Sequence, residues 1–447
     1  MNSNWPTLPL GELLELVIDH RGKTPNKMGF EDFHNSGYPV LSAKHVKTDS
    51  LVNLDSMRYS NEEMYKKWMK VEIQAGDIVL TSEAPLGEVY LLDGSTKFLL
   101  GQRVFGLRPN KNKINPLYLA SWLASPKGQA LLYARASGST VLGIKQSELL
   151  KIEVDVAPEI YQNLIGINRF DIIKKIDVNN AICQTLESIA QALFKSWFVD
   201  FDPIKAKIEV LASGGSNADA ELAAMSVIAA KDINQLDELR KTNPDAFARL
   251  ARTAALFPAA MQDSELGEIP ETWEVKQLKD ILELAYGKAL KKTDRVDGDV
   301  PVYGSGGLTG YHSQSLVDGP GIIVGRKGTV GSVYWEPKAF YPIDTVFYVR
   351  PKANYSLNYC HLVLQNLGLQ NMNTDAAVPG LNRDNAYRLN VIAPTKGVMN
   401  IFKEIIQSLQ SSIDVNNAQS ASLESLRDTL LPKLLSGEIN LMSEVVT

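Results

Sequence analysis

The sequence predicts an α+β protein built as a tandem repeat, with two pseudo-symmetric domains linked by two long antiparallel helices that form a coiled coil. The hexapeptide IDVNNA occurs at residues 176–181 and again at 413–418. Other pairs, among them EVDVAP with LNVIAP and GEVY with GSVY, keep the same order in both halves while their offset drifts. This pattern indicates a duplication whose halves later gained and lost loop residues.

Each half opens with a globular part of mixed secondary structure. Short apolar runs such as GDIVL and VFGLRP, or GIIVG and TVFYVRP, predict strands, and PLYLASWLAS and LNYCHLVLQNL predict short helices. The opening tryptophan precedes the G-x-V-Y strand by 82 residues (87 − 5) in the first half and by 58 (331 − 273) in the second. The first domain should therefore carry about two dozen extra residues, which we place near 20–39.

Each globular part is followed by a stretch that predicts one long helix. Apolar residues spaced mostly three or four apart indicate a heptad seam. In the first helix they are Ile165, Ile172, Ile176, Cys183, Leu186, Ala190, Leu193 and Trp197. In the second they are Phe402, Ile406, Leu409, Ile413, Leu423, Leu430 and Leu434, in a seam that Ser420 and Arg427 weaken. A helix of about 40 residues is roughly 60 Å long, and its single apolar stripe needs a partner, which its own duplicate can provide.

Asn179 and Asn416 are equivalent residues of the two IDVNNA copies, and both fall on the seam. A polar residue on an apolar seam lowers stability but fixes the register of the two helices. The alternative is that both asparagines lie at the edge of the seam and face water.

The domain boundaries follow from the repeat. We place the first domain at 1–157, its helix at 158–203, the second domain at 263–395 and its helix at 396–440. Residues 204–262 have no counterpart and predict a linker and helical insertion. Within this segment LASGGSNADAE has the composition of a flexible linker, and the Ala-, Leu- and Arg-rich residues after it predict helix.

Composition excludes several classes of protein. The net charge of −5 argues weakly against a protein that holds nucleic acid by bulk charge. The two distant cysteines, Cys183 and Cys360, favour a reduced cytoplasmic protein over a disulfide framework. No run of about 18 apolar residues predicts a membrane span, and the first residues lack the features of a secretory signal. We expect a cytoplasmic protein with no membrane contact.

Motifs for catalysis are incomplete. Residues 22–24 read GKT, but the glycine that a phosphate-binding loop needs five residues earlier is Val17. The five histidines and two cysteines show no metal-ligand spacing. The sequence therefore predicts a non-catalytic chain without a metal or a cofactor of its own.

Four stretches taken in order carry a resemblance to a known family. They are LFKSWFVDFDP, SELGEIPETW, GIIVGRKGTVGSVYW and LRDTLLPKLLSGEI. With the two-domain repeat, they make the whole chain similar to the specificity (S) subunits of type I restriction-modification systems. The resemblance implies two target-recognition domains, each reading one half of a split site in double-stranded DNA. It also implies that the paired helices act as a ruler and as the docking surface for two methyltransferase (M) subunits.

The resemblance places the chemistry in partner subunits. The methyltransferase subunits would carry S-adenosylmethionine and methylate adenine, and restriction (R) subunits, using ATP and Mg, would translocate and cut DNA. An acidic chain is compatible with this role, because the assembly supplies much of the DNA grip and only the recognition faces must be positive.

Candidate DNA-binding residues lie on the globular parts. VGRKGTVG offers Arg326, Lys327 and Thr329 on a glycine-rich turn, where Arg and Lys can neutralise phosphate or read guanine. A turn with solvated charges is the alternative. Ser82 and Glu83 stand at the equivalent positions of the first half, a departure that predicts other bases or no contact. Further candidates are Tyr303, Ser305, His312 and Asn382 in the second half, and Lys44, His45, Gln102, Arg103, Ser137 and Ser139 in the first.

Two other functions remain compatible with the sequence. One is the reader subunit of a relative in which cutting and methylation share one polypeptide. The other is a coiled-coil adaptor with two protein-binding heads that does not bind DNA.

Overall fold

The computed structural model describes residues 5–138, 140–372 and 380–439. The chain divides into two compact units, the first comprising residues 1–180 and 418–447 and the second residues 181–417. Each unit therefore contains one globular part and portions of both long helices.

Unit 1 contains eleven described strands and five short helices before the first long helix. The strands are β1 Thr7–Pro9, β2 Leu14–Asp19, β3 Tyr38–Leu41, β4 Val46–Lys47, β5 Ser50–Leu51, β6 Tyr59–Ser60, β7 Ile78–Ser82, β8 Leu86–Leu91, β9 Leu99–Leu100, β10 Val104–Pro109 and β11 Glu153–Asp155. The helices are α1 Leu10–Leu13, α2 Glu62–Trp68, α3 Pro116–Ala124, α4 Pro126–Ala134 and α5 Gln146–Leu149. The first long helix, α6, is Glu159–Phe198.

Unit 2 begins with the second part of α6 and ends with the first part of the second long helix, α14. Its strands are β12 Met261–Ser264, β13 Gly267–Pro270, β14 Glu274–Gln277, β15 Leu282–Tyr286, β16 Val300–Gly304, β17 Gly307–His312, β18 Gly321–Gly325, β19 Val333–Glu336, β20 Tyr341–Pro342, β21 Val346–Pro351 and β22 Asn390–Ala393. Its helices are α7 Asp202–Ala212, α8 Asn217–Ala229, α9 Ile233–Thr242, α10 Pro244–Ala255, α11 Leu278–Ile281, α12 Leu357–Asn366, α13 Arg383–Tyr387 and α14 Lys396–Leu435.

The two units share one sheet topology, which confirms the predicted α+β repeat. Each has a four-stranded antiparallel sheet, in the order β2-β10-β7-β8 in unit 1 and β15-β21-β18-β19 in unit 2. The register is also the same, because Leu80 lies opposite Phe105 and Val324 lies opposite Phe347. Buried aromatic side chains pack under each sheet, among them Trp122 in unit 1 and Trp273 in unit 2.

A second small sheet locates the extra residues of the first half. Val40 of β3 pairs in parallel with Leu99, as Val302 of β16 pairs with Tyr341. After these strands, residues 42–60 of unit 1 correspond to the shorter 304–312 of unit 2, and α2 follows in unit 1 alone. The prediction that the extra length lies near 20–39 is therefore largely wrong. Much of it forms the hairpin β4–β5 and α2, whose apolar residues pack into a separate core.

The long helices are antiparallel within each unit, as predicted. In unit 1, Asn179 of α6 contacts Ser420 of α14, while Arg169 and Arg427 both reach Asp49. In unit 2, Cys183 contacts Asn417, and Phe194 packs against Phe402. In both units, residues later in α6 contact residues earlier in α14, so the two helices run antiparallel.

The predicted seam is buried at Ile176, Asn179 and Cys183, while Ile173 is buried in place of Ile172. Asn179 is fully buried, and its Nδ2 donates to Gln419 Oε1 over 2.9 Å. For this residue the water-facing alternative is wrong.

Asn416 behaves differently from its duplicate. It is partly exposed, and its Nδ2 donates to the Ser412 carbonyl of its own helix over 2.8 Å. Its assignment as a register residue is wrong, because the register places Ser420, not Asn416, opposite Asn179. Ser420 was predicted to weaken the seam, but it is the buried polar residue of α14.

The segment predicted to be a flexible linker is a tight turn between two packed helices. Helix α7 ends at Ala212, and α8 begins at Asn217 after a turn that includes Gly214 at φ +86°. Ser216 and Asp219 form a reciprocal capping box at the start of α8. Buried Lys207 of α7 also bonds Glu221 of α8 over 2.8 Å. The composition wrongly suggested a linker because small residues are common both in flexible linkers and between closely packed helices.

Candidate nucleic-acid interface

The same backbone arrangement follows β7 in unit 1 and β18 in unit 2. The Ser82 N–H donates to the Arg103 carbonyl over 2.9 Å, and the Ser82 carbonyl accepts from Ile144 over 3.0 Å. In unit 2 the Arg326 N–H donates to Thr345 over 2.9 Å, and its carbonyl accepts from Leu381 over 2.8 Å. Ser82 and Arg326 therefore occupy equivalent places, as the repeat predicted.

In unit 2 this place is a small polar cavity with aromatic walls. The cavity has a volume of about 290 Å³ and is lined by Tyr286, Arg326, Lys327, Phe347, Gly380, Leu381, Asn382, Arg383 and Asp384. The Arg326 guanidinium lies 5.3 Å from the Tyr286 ring centroid, and that of Arg383 lies 4.8 Å from the same ring. Two cations that share one aromatic ring suit a site for an anion or a base edge.

Arg326 is oriented by its own strand neighbours. Its Nε and Nη2 donate to the Asp344 carbonyl over 3.2 and 2.6 Å. Among the described residues, no hydrogen-bond acceptor for its Nη1 is found. The Asp344 carbonyl therefore holds one edge of the guanidinium.

The turn after Arg326 carries the other predicted residues. Lys327 and Thr329 are exposed, and the turn needs Gly328 because its φ is +85°. Ser305 lies beside the turn, since a Cβ placed on Gly328 would be 3.2 Å from its Oγ. Asn382 lines the cavity, but its Oδ1 caps α13 by accepting from the N–H groups of residues 384 and 385.

Two predicted residues of unit 2 do not join this cavity. His312 is buried, and its Nδ1 lies 3.0 Å from the Val296 backbone nitrogen, so it supports the loop before β16. The Tyr303 hydroxyl donates to Glu336 over 2.9 Å, and burial, more than this bond, raises its pKa. Tyr303 lines a different groove, described below. Neither side chain lines the Arg326 cavity, and the assignment of His312 and Tyr303 as DNA contacts stays a prediction.

Unit 1 has a larger cavity of about 470 Å³. Four predicted residues line it: Lys44, His45, Gln102 and Arg103. Residues that the sequence reasoning missed complete its walls: Lys23, Thr24, Pro25, Phe33, Val40, Ser42, Ala43, Arg58, Trp68, Ala84 and Gly101. Four cations thus surround one cavity with aromatic walls, which is the composition expected where a nucleic acid binds.

The cations of this cavity are only partly neutralised. Arg58 pairs with Asp32 over 3.7 Å, and Arg103 pairs with Glu83 over 3.1 Å. Lys23 Nζ donates to the Trp68 carbonyl, and burial together with Lys70 lowers its pKa.

Two further candidates of unit 1, His45 and Ser82, are buried, whereas Ser137 is exposed. Burial, then Lys44, lowers the pKa of His45, whose Nδ1 lies 3.2 Å from the Ser42 backbone nitrogen. Ser82 is buried, and Ser137 forms a backbone bridge with Gly143. His45 lines the cavity, whereas Ser82 is buried and does not. Ser139 lies outside the described residues.

In unit 1 a guanidinium also lies over the phenylalanine of the inner strand β10, but it belongs to Arg21, which follows β2 and not β7. The Arg21 guanidinium is 4.0 Å from the Phe105 ring centroid, at the place equivalent to Phe347. It donates to the Ile144 carbonyl over 3.1 Å and pairs with Asp19 over 2.8 Å. The sequence signal that could have found it is a basic residue two positions after the end of β2.

Within the described ranges, no group of three or more His, Cys, Asp or Glu side chains could hold a metal ion. None of the described helices combines the length and apolarity that a bilayer crossing requires.

A family model described as the type I restriction modification DNA specificity domain matches residues 2–188 and 270–425. The chain belongs to this family. It is 31% identical over 413 residues to the type I restriction enzyme HindI specificity subunit of Haemophilus influenzae, with 83% of this chain and 88% of that protein covered. It is 23% identical over 446 residues to the MjaIX specificity subunit of Methanocaldococcus jannaschii, with 94% and 90% covered.

The fold is also that of a solved specificity subunit. The crystal structure of the type I restriction-modification S subunit from M. genitalium superposes with a TM-score of 0.56, at 16% identity and with 97% of each chain covered. Both the tandem architecture and the family assignment agree with the sequence analysis.

Proposed function

We propose that the chain is the DNA-reading subunit of a type I restriction-modification complex and that each unit reads one half of a bipartite site. The observation that supports the proposal is that the two units share one backbone arrangement after β7 and β18 but carry different side chains there. At the same two positions unit 2 has the cations Arg326 and Lys327, whereas unit 1 has a buried Ser82 and Glu83, which pairs with Arg103. A constant frame with exchanged polar groups is what two readers of different base sequences require.

The charge of the two cavities supports DNA as the ligand. The chain has a net charge of −5, yet each cavity gathers cations beside aromatic rings. Such local positive faces suffice for phosphate and base contacts when other subunits contribute to the grip.

In the proposed complex, residues 1–157 and 263–395 are the recognition domains, and residues 158–203 and 396–440 form the spacer helices that scaffold two methyltransferase subunits and the restriction subunits. The chain itself is non-catalytic and works in the cytoplasm. S-adenosylmethionine, ATP and Mg belong to the partner subunits.

A domain exchange tests the proposal. Residues 273–395 are replaced by the equivalent domain of a relative, and the methylated motif is read by single-molecule sequencing of the host DNA. We expect a motif of two defined parts, of which the exchange alters only one and leaves the spacing unchanged. One continuous motif, or a change in both parts together, would refute the split reader.

The adaptor alternative is tested separately. The purified complex with its methyltransferase should retard a DNA duplex that carries the motif, whereas the methyltransferase alone should not. Equal retardation of the duplex by the methyltransferase alone would show that this chain does not recognise the DNA.

A further inference from the structure

Unit 2 contains an open groove beside the edge strand β19. Its volume is about 830 Å³. The groove is lined by Val333, Tyr334 and Trp335 of β19 and by residues of both long helices, among them Ala190 of α6 and Ile406 of α14. Every residue that lines the groove belongs to unit 2.

In unit 1 the equivalent edge is covered by the chain itself. The hairpin β4–β5 lies on β8, where the Asp49 N–H donates to the Val89 carbonyl over 3.0 Å and the Val89 N–H donates to Thr48 Oγ1 over 3.3 Å. The Asp49 carboxylate accepts from Arg169 over 2.6 Å and from Arg427 over 3.4 Å. The hairpin thus connects the sheet edge to both helices.

The repeat identifies the same positions in unit 2. Val89 lies opposite Leu80 and Val333 lies opposite Val324, in sheets of identical order and register. On the helices, the offset of 237 between the two IDVNNA copies (413 − 176) equates Arg169 with Ile406 and Arg427 with Ala190. Among the described residues of unit 2 no hairpin covers this place, and an apolar pair stands where unit 1 has two arginines.

The backbone of β19 is free to accept another strand. The Gly325 N–H donates to the Ser332 carbonyl over 2.8 Å, so in this antiparallel pair the polar backbone groups of Val333 point away from β18. Among the described residues no hydrogen bond to these groups is found. The indole Nε1 of Trp335 is also buried without a partner. A free strand edge beside an apolar groove is a site for strand addition.

We infer that this groove binds an extended segment of a protein partner, in the position that hairpin β4–β5 occupies in unit 1. The segment places an apolar side chain against Ala190 and Ile406, in the position of Asp49. It carries Lys or Arg beside that residue, because the carboxylates of Glu187 and Asp414 line the groove. The segment's N–H donates to the Val333 carbonyl.

The identity of the partner rests on the proposed function, which makes the methyltransferase subunit the protein that contacts the helices. The two copies of that subunit then meet different surfaces. The copy at unit 1 meets a sheet edge that the hairpin β4–β5 already covers, and the copy at unit 2 meets the open groove. The inference therefore predicts two methyltransferase sites of unequal affinity.

The test titrates the full-length chain with its methyltransferase subunit by calorimetry. Val333→Pro removes the outward N–H and crowds the free edge, a change that edge strands tolerate on their unpaired side. Glu187→Lys reverses an exposed charge of the groove. Val333→Thr keeps the N–H, and Glu424→Lys reverses the duplicate of Glu187 on α14 (187 + 237), which makes them matched controls.

The wild type should show two binding sites. Val333→Pro and Glu187→Lys should each weaken the tighter one by about tenfold or more, while Val333→Thr leaves both sites unchanged and Glu424→Lys leaves the tighter site unchanged. Equal losses for Glu187→Lys and Glu424→Lys would overturn the groove and leave docking on the helix faces intact. Unchanged binding by the two groove variants would also overturn it. Absence of binding by the wild-type chain would overturn both the groove and the proposed function.

Discussion

The two units have the same strand order and backbone hydrogen bonds, but they join sheet to helices by opposite means. In unit 1 the junction is ionic, because Asp49 reaches two arginines that its helices bring together. Burial lowers the pKa of Arg169 and Asp49 opposes that shift, so the charged pair is held in a costly environment. In unit 2 the corresponding helix residues, Ile406 and Ala190, are buried and apolar. A duplicated backbone can therefore keep its pairing while an insertion in one copy changes the chemistry around it.

The candidate DNA-binding cavities of the two units also differ in which strand supplies the cation. Each unit places a guanidinium near the ring of the equivalent central-strand phenylalanine, at 4.0 Å for Arg21 over Phe105 and 5.9 Å for Arg326 over Phe347. The first cation follows β2, and the second follows β18. The position of positive charge is retained, but the strand that supplies it is not. Equivalent positions in the alignment therefore do not identify equivalent contacts.

The largest effect is expected when the ionic junction of unit 1 is broken by mutation. Asp49→Ala leaves Arg169 and Arg427 close together without their carboxylate, which should cost about 3–5 kcal/mol of local stability. Hydrogen exchange of residues 159–180 and 418–435 measures this loss. The variant that also carries Arg169→Ile and Arg427→Ala reproduces the apolar pair of unit 2 and should recover much of the protection. Unchanged exchange in Asp49→Ala would show that the ionic junction is not stabilising.

A smaller effect on DNA affinity is expected to distinguish the two candidate DNA-binding cavities. Arg326→Ala should weaken binding of the cognate duplex by about 1–3 kcal/mol, with any change in base preference confined to one half of the motif. Ser82→Ala, the matched variant in unit 1, should change affinity by less than about 0.5 kcal/mol because Ser82 is buried. Binding is measured over a series of salt concentrations, since a lost phosphate contact reduces the salt slope. A larger loss for Ser82→Ala than for Arg326→Ala would reverse this comparison.

Acid should destabilise both units through one histidine each. Burial, with a contribution from Lys23 at His20, lowers the pKa of His20 and His361 to about 4 from an ordinary value near 6.5. Between these pH values the unfolded chain binds protons that the folded chain does not, so stability falls as pH drops, by at most about 1.4 kcal/mol per pH unit for each group. Urea unfolding from pH 7 to 4 measures this slope. His361→Gln should reduce the dependence of the unfolding free energy on pH. An equally steep dependence in that variant would show that His361 is not responsible for it.

The smallest effect concerns the asparagine of the seam. Asn179 donates to Gln419, but its Oδ1 is buried without a partner, so the bond and the unpaired oxygen offset each other. Asn179→Leu should change the free energy of unfolding by no more than about 1 kcal/mol. The duplicate variant, Asn416→Leu, alters a partly exposed residue and should have a smaller effect still. A loss of several kcal/mol for Asn179→Leu would show that the polar contact dominates at this position.

Periodicity predicted the regular parts of the fold well. The two long helices follow from apolar residues three and four apart, and the equivalence of Ser82 with Arg326 follows from the ordered repeat. Both are local patterns that survive in the sequence because each helix turn and each strand pair imposes the same spacing wherever it occurs. The tight turn at Gly214 was missed because glycine and serine serve turns and linkers alike.

The sequence by itself determined the duplication, the α+β class, the antiparallel helix pair and the family. These depend on order and spacing, which a linear sequence records. Only the tertiary structure decided that His312 points inward, that Arg21 takes the place over Phe105, and that Asn179 is buried while its duplicate Asn416 is not. It alone revealed that Asp49 fills in unit 1 the space left open beside Val333 in unit 2. Such outcomes depend on which side chains meet across large separations in the chain, and that packing is a property of the folded molecule.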